Sequence, residues 1–567
     1  MTPLVILFLL PFLYLLRKPL LALLVPPALP DIPYYKDSSP IVGDIPRLTR
    51  IIKSTRTFST FFDGACKDLG VICQVRFGIF GRIVLVTDYQ EISNLLLYRT
   101  AAIDRAEFTT KVFACIFPAA LIGLPTNDVW RHHKRILGFA MTSKYLSLTT
   151  PKANEPIKDL IELWKLKAEK AGGRSWDAMK DMDAATMDAI CGMAFGENWQ
   201  CVASFQQQVS AEGCTEGPVG EAVFPHVLPM LGQATWTIFD SIPVLSNFPR
   251  IAHFFARQRP TYRRHAALVD RFLDDKIVKA RLKAKAIGEE AADLADNTLD
   301  GLVGRELRGE DWMKDDEMKQ EVFQYLVAGT ETTSATLSWF VKYMTIHPEV
   351  QIKLRQHLLS VLPEIQDRQP TYEELNGIST PYLEAVVHET LRLSRTAAGY
   401  VREAVEDMEI LGKRVPKGSI LMFQTVTGLE DLSAPVSKTT FTSAKEQAES
   451  LDGVRNTGPQ RKTGYWKEGT GKIFDPERWL DAQGRFDSLA GPSLPFSLGQ
   501  RGCFGKNLAL LELRLFMAQL NQQFFFGAVP ENQNSMEAFE TVARHPVQCF
   551  VRPLSWESGE AEAHKTA

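Results

Sequence analysis

Ten residues, Phe496-Ser-Leu-Gly-Gln-Arg-Gly-Cys503-Phe-Gly505, constrain this chain more than any other stretch. They place one cysteine in a glycine-framed loop. The apolar residues Leu508, Leu511, Leu515, Met517 and Leu520 then follow at helical spacing, which predicts a helix opening just after Cys503. Gly499 permits a tight turn and Gly505 a close backbone approach, because neither carries a Cβ. A helix N-terminus stabilises a neighbouring anion and lowers a thiol pKa. Amides of the turn can also donate to sulfur. The loop is suited to presenting a thiolate as a ligand.

Composition removes several classes. The chain has 567 residues, 45% hydrophobic and 23% charged, so it can bury a large core, and its length allows two to four domains. Neither an internal repeat nor a long Gly/Ser or Pro linker interrupts the middle. A net charge of −3 argues against nucleic-acid binding. The 8 cysteines are scattered without a Cys-x-x-Cys pair, so neither a disulfide framework nor a zinc site is suggested. Reduced thiols facing the cytosol fit that pattern best.

A lone intracellular cysteine is ordinarily a small apolar core residue. Here five positions satisfy Phe-x-x-Gly-x-Arg-x-Cys-x-Gly, which chance would produce in roughly one chain in several thousand. A thiolate so presented suits heme iron, pushing electron density onto it and favouring O–O cleavage. The segment resembles the heme-binding loop of the cytochrome P450 family. That resemblance implies Cys503 as the axial iron ligand, with Phe496, Gly499, Arg501 and Gly505 shaping the heme site.

Ala328-Gly-Thr-Glu331-Thr332-Thr333 lies inside a long helical pattern, although a mid-helix glycine costs about 1 kcal/mol relative to alanine. A local bulge that makes room for a ligand would explain it. Glu331 and Thr332 would form an acid–alcohol pair within reach for proton delivery. A solvated glutamate beside a core threonine is the plain alternative. The stretch is similar to the family's oxygen-activation motif, which implies Ala328 beside the heme and Glu331 and Thr332 as catalytic residues.

Glu389-Thr-Leu-Arg392 sets a carboxylate and a guanidinium on one face of an apolar helix. If buried, the pair needs further partners. Pro476-Glu-Arg478-Trp479 supplies another arginine, and in the family these segments form a structural Glu–Arg–Arg cluster. The resemblance also implies cations for the heme propionates. Arg501 is one, and Arg402, ten residues past Arg392, is another. Trp130-Arg-His-His-Lys134-Arg135 resembles the family's Trp-x-x-x-Arg helix, with lysine where arginine is usual; Lys134 binds as a point charge, or Arg135 or Arg131 takes the role. His133 is expected to be solvated or propionate-facing rather than an iron ligand.

Pro3 to Leu16 is apolar, Arg17 and Lys18 follow, and Pro19 to Val25 is apolar again. A bilayer core needs about 20 residues, so the two runs together suffice for a span. No early basic region or cleavage site supports a cleaved signal, and the cations after the first run keep the downstream body cytosolic. The expected organisation is therefore a transmembrane signal anchor at 1–25 and a proline-rich extended hinge at 26–46. A heme-thiolate domain follows at 47–554, and a polar, disordered tail at 555–567. The fold class is mainly α with a small β part. Val71 to Thr87 reads as a hairpin, 201–249 as irregular, and Gln258 to Lys285 and Trp312 to His347 as long helices.

Two departures from the family pattern stand out. No proline follows the Glu-x-x-Arg helix, and Ala397, Ala398 and Gly399 there imply room for a bulky substrate. Residues 424–472 are long and polar, without the usual His-Arg-Asp pattern, and are expected as a surface insertion. By family analogy, Phe108, Phe113, Phe117, Phe323, Val327 and Val542 to Val547 contribute to an apolar pocket. With 64 residues after Cys503, no fused flavin domain is expected.

The resemblance implies a membrane-bound monooxygenase carrying heme b. It uses O2 and NADPH electrons from a separate NADPH–cytochrome P450 reductase, with cytochrome b5 as a further candidate partner. The single-pass enzyme is expected at the endoplasmic reticulum, facing the cytosol. The substrate is expected to be hydrophobic, terpenoid or polyketide-derived, in fungal specialised metabolism. Fatty-acid or xenobiotic hydroxylation, an oxygen-independent isomerase or dehydratase on the same fold, and a heme-binding sensor are the alternatives.

Overall fold

Alternation from Val71 to Thr87 produces the hairpin it predicts: strands Ile72–Arg76 and Arg82–Val86 pair antiparallel around a short 3-10 turn, Gly78–Phe80. Gly78 has φ 61°, and a Cβ there would lie 1.7 Å from the Ile41 carbonyl oxygen. The computed structural model describes residues 25–566 apart from 245, 247, 311, 376–378, 425–462 and 468. These form two compact units. The first comprises the described residues within Met1–Ala106, Ala398–Lys472 and Gly491–Arg501; the second comprises those within Glu107–Ala397, Ile473–Ala490 and Gly502–Ala567.

In the first unit the hairpin is extended into a five-stranded sheet. Ile420–Phe423 pairs parallel with Arg82–Val86, Tyr400–Ala404 pairs antiparallel with it, and Ile103–Arg105 closes the edge. Side chains alternate across the sheet, as strand geometry requires. Val84, Val86, Leu421 and Phe423 pack with Ile92, Leu95 and Leu96 of helix Tyr89–Leu97. Cys73, Val75, Leu85 and Met422 pack with Phe61, Phe62 and Ala65 of helix Ser59–Leu69. Both faces are thus covered. Buried Gln74 donates to the Leu29 and Ile32 carbonyls (2.8 and 2.7 Å) and accepts from the Leu29 amide (3.0 Å). The first part of the expected 26–46 hinge is therefore fastened to the sheet rather than standing free of it.

The second unit is helical. Its axis is the 32-residue helix Asp315–Ile346, opened by Asp315, Asp316 and Glu317 in the first turn, where carboxylates complement the helix dipole. It packs along Met179–Phe195. The helix is α throughout, so the bulge expected at Gly329 is absent. Glycine stands there for another reason: a Cβ would meet Ile190 Cδ1 at 2.5 Å.

Two further expectations change. Residues 201–249 are not irregular throughout but hold helices Cys201–Glu212 and Met230–Phe239. The first is capped from afar, by the Asp188 carboxylate accepting from the Trp199, Cys201 and Val202 amides. The tail is not disordered: Trp556–Thr566 is a helix, fixed by Trp556, whose indole N–H donates to the Asn521 carbonyl (2.9 Å) under the Arg355 guanidinium. Among the described residues no helix is long and apolar enough to cross a membrane. The anchor expected over 1–25 falls on residues 1–24, and most of the 424–472 insertion on 425–462, both outside the described residues.

Candidate active site

The cysteine loop folds as its glycines dictate. Gly499 takes φ 72°, and a Cβ there would stand 1.9 Å from the Leu96 carbonyl oxygen. Left-handed strain and overlap act together, so Gly499→Ala is expected to cost about 3 kcal/mol in urea unfolding. An unchanged unfolding midpoint would contradict this loop geometry. Phe496 is half-buried. Gly505, with an ordinary φ of −80°, caps the helix Lys506–Gln523. No protein atom lies within 4 Å of a Cβ built there, so nothing in the protein itself demands glycine at that position.

Cys503 is exposed, whereas the cysteines at 66, 73, 191, 201 and 549 are buried. Packing against protein atoms pushes its thiol pKa up, opposed by a hydrogen bond from the Gly505 amide and by the Lys506 charge. A bound metal cation would reverse that balance and hold the thiolate.

In the first unit, Arg402 is buried and donates to Ser497 Oγ (3.2 Å) and the Arg501 carbonyl (3.3 Å). Arg105, which the sequence did not single out, is its register partner across the sheet edge. Burial, then repulsion from Arg501 and Arg402, brings the Arg105 pKa down to about 9. Burial brings Arg402 and Arg501 down to about 10, and Asp104 is the carboxylate that offsets all three. Three crowded guanidiniums form a ready receptor for carboxylates.

In the second unit, the helix Asp128–Leu137 carries buried Trp130, with the Lys134 ammonium 4.9 Å from its ring centroid. Lys134 is half-exposed, while Arg131 and Arg135 are exposed. His133 is neither solvated nor free to face a propionate. It is buried, with Nδ1 2.7 Å from Glu321 Oε1. Glu321 also accepts from the Leu121 amide, and Gln320 and Gln324 accept from the Ala119 and Ile122 amides. The loop before this helix is thereby tied to the long helix. Of the expected pocket aromatics, Phe117 and Phe323 pack on each other (5.7 Å), while Phe108 is exposed.

The long helix separates the two members of the acid–alcohol pair. Ala328 is exposed and Thr332, one turn on, is partly exposed; the Thr332 hydroxyl donates to the Ala328 carbonyl (2.8 Å). Glu331 is buried, and its Oε1 accepts from Thr541 Oγ1 (2.8 Å) and His545 Nε2 (2.9 Å). Burial pushes the Glu331 carboxyl up, but the His545 bond and charge, Thr541 and the Ala543 amide outweigh it and hold the pKa below the usual value. No direct Glu331–Thr332 bond forms.

Glu389 is fully buried. Arg392 grips it with two bonds of 2.8 Å, and Arg478 Nε (3.1 Å), the Trp479 indole (2.9 Å) and the Asp475 amide (2.9 Å) complete its shell. These partners suit a structural brace, as the sequence predicts.

The cytochrome P450 family model matches residues 33–432 and 465–551. The chain belongs to the cytochrome P450 family. A cytochrome P450 monooxygenase of Pestalotiopsis microspora, GME11363, is 27% identical over 93% of this chain and 94% of its own length. A cytochrome P450 monooxygenase of Dothistroma septosporum, cyp3.1, named for the Hps1-dma1 cluster, is 30% identical over 50% of this chain and 95% of its own. The solved structure of the P450 CYP102L1 superposes with a TM-score of 0.67 at 17% identity, covering 92% of this chain and 99% of that one. This P450 is thus an oxidoreductase of the monooxygenase type, and membership implies heme iron, O2, a small-molecule substrate and electrons from a reductase.

The residues present fit heme. In the second unit Cys503 offers a thiol at a helix start and Ala328 keeps one turn of the long helix bare; in the first, taken by itself, the three arginines suit carboxylates such as propionates. Arg105 was missed because a three-residue strand has no readable period. His545 lies in the Val542 to Val547 stretch expected at the pocket, but neither it nor Thr541 was tied to Glu331, because nothing in sequence pairs them with a residue some 210 positions earlier.

Proposed function

We propose that this P450 hydroxylates or otherwise oxidises a hydrophobic small molecule of fungal specialised metabolism, with terpenoid and polyketide-derived scaffolds first. The observation that carries the oxidative reading is the bare turn at Ala328 and Thr332, backed by the buried carboxylate of Glu331. Heme, when bound through Cys503, supplies the activation of O2. The Thr332 hydroxyl and Glu331 carboxyl handle protons at that turn, and Arg105, Arg402 and Arg501 hold the propionates. The naming of the Dothistroma relative for a cluster supports the specialised-metabolism assignment.

Electrons come from a separate NADPH–cytochrome P450 reductase. Exposed Arg131, Arg135 and Lys506 supply docking charge within the second unit. The enzyme sits on the endoplasmic reticulum membrane through residues 1–25, facing the cytosol. Supporting this, the helix Pro249–Gln258 exposes Ile251, Phe254 and Phe255, with Phe248 just before it, among Arg250 and Arg257, a pattern suited to an interface.

The test is Thr332→Ala in the reductase-coupled holoenzyme, across a panel of terpenoid and polyketide compounds. Product formed per NADPH consumed is expected to fall at least about tenfold, with the reducing equivalents lost as peroxide. Undiminished product without NADPH use would instead identify an oxygen-independent isomerase or dehydratase.

A further inference from the structure

A cavity of about 140 Å³ opens in the second unit and shares no residue with the cysteine loop, the bare turn of the long helix or the arginine receptor. Its body is apolar. Phe139 of the 3-10 turn Gly138–Met141 lines it, with Tyr145 and Leu148 of the helix Ser143–Ala171 and with Ala295 and Gly301. Phe139 and Tyr145 meet edge to face, their ring centroids 5.4 Å apart. Gly301 lets the helix Thr298–Leu307 lie against the Phe139 ring, since a Cβ there would come within 2.5 Å of Cε2. The Tyr145 hydroxyl is engaged elsewhere. It donates to the Met193 carbonyl (3.0 Å) and stands 2.9 Å from Thr298 Oγ1, which leaves the ring for the cavity.

The rim is charged, with Lys144, Arg305 and Arg308 set against Asp293 and Glu310. Glu310 pairs with Arg305 (3.0 Å) and Asp293 with Arg308 (2.8 Å), while Lys144 has no ion pair among the described residues. Arg305 Nε is buried without a hydrogen-bond partner, and the guanidinium lies 5.7 Å from the Phe139 ring centroid. The 29-residue helix capped by Thr142 begins at this rim and adds the positive end of its dipole. The balance is positive, and the uncommitted charge stands beside an aromatic floor.

We propose that this cavity binds a single-ring aromatic carboxylate. An apolar cavity of roughly 150 Å³ takes up one benzene molecule, so the body admits one ring and no fused system. A ring laid against Phe139 brings its substituent to the Arg305 guanidinium, whose fork matches a planar carboxylate, and Lys144 supplies the counter-charge. An aliphatic acid would leave the aromatic walls unfilled, and an aromatic amine would meet like charge. The turn that carries Phe139 ends at Met141, whose carbonyl accepts from Asn507 (3.1 Å) in the first turn of the helix after Cys503. The site is joined to the cysteine loop without being part of it.

The probe is para-fluorobenzoate, followed by fluorine NMR on the full-length holoenzyme at neutral pH. Saturable binding with a dissociation constant of about 1 mM or tighter is expected, the range of a small fragment. The Soret band should not shift, and neither acetate nor benzylamine should compete. Lys144→Glu reverses the unpaired charge on an exposed side chain. It should weaken binding at least about tenfold, the scale of a lost charge-assisted bond. Ala292→Leu puts a larger side chain into the lining and should abolish binding. Illumination with para-azidobenzoate should label peptides spanning Phe139 to Leu148 or Ala292 to Arg308. If Ala292→Leu does not load heme, Lys144→Glu and the labelled peptides decide the matter. No saturable binding, equal affinity in Lys144→Glu, or labelling confined to the segment around Ala328 overturns the proposal.

Discussion

Replacing Glu389 with alanine is expected to cost the fold about 3–5 kcal/mol, the range for breaking a buried ion pair on one side. The carboxylate is fully buried and accepts five bonds, from Arg392, Arg478, Trp479 and the Asp475 amide. Its removal leaves two guanidiniums buried without their counter-charge and an indole without its acceptor. Against a total stability of about 5–15 kcal/mol for a typical domain, that loss is severe. Urea unfolding and the yield of heme-loaded protein should both collapse. Glu389→Gln should recover little, because the amide restores shape but not charge. A Glu389→Ala variant within about 1 kcal/mol of the native protein, the size of a surface substitution, would contradict the brace.

Cys503→Ser is expected to do the reverse: turnover falls below detection while the polypeptide keeps its stability to within about 1 kcal/mol. Cys503 is exposed, and the Gly505 amide donates to its sulfur. A hydroxyl can accept that bond. What it cannot do is supply the thiolate. Unfolding curves and reductase-supported turnover, measured on the same preparation, separate the two effects. A large stability loss would show that the loop cysteine is a core residue after all.

How much of this was legible in the sequence depends on how local each feature is. The cysteine loop, the helix from Lys506 and the hairpin around Gly78 are set by glycine positions and periodicity within about twenty residues, and all appear as predicted. The Glu389–Arg392 grip is an i, i+3 pair, so spacing revealed it, and Arg478 came with the family pattern. Gly329 was noticed but misexplained, since only the packed helix shows that Ile190 occupies the space a Cβ needs. His133 was misplaced because its partner Glu321 lies 188 residues away. The helix from Cys201 was missed for the same kind of reason, its cap being a carboxylate on another helix. The tail went wrong through composition: twelve polar or small residues outvoted Trp556, whose burial decides the matter.

The central claim is that Cys503 binds heme iron as thiolate, and the ferrous carbon-monoxide difference spectrum of the full-length protein tests it most directly. The prediction is the far-red-shifted Soret band of thiolate-ligated heme, lost in Cys503→His. Heme bound with only the band of a neutral ligand, or a thiolate band that survives in Cys503→His, would contradict it.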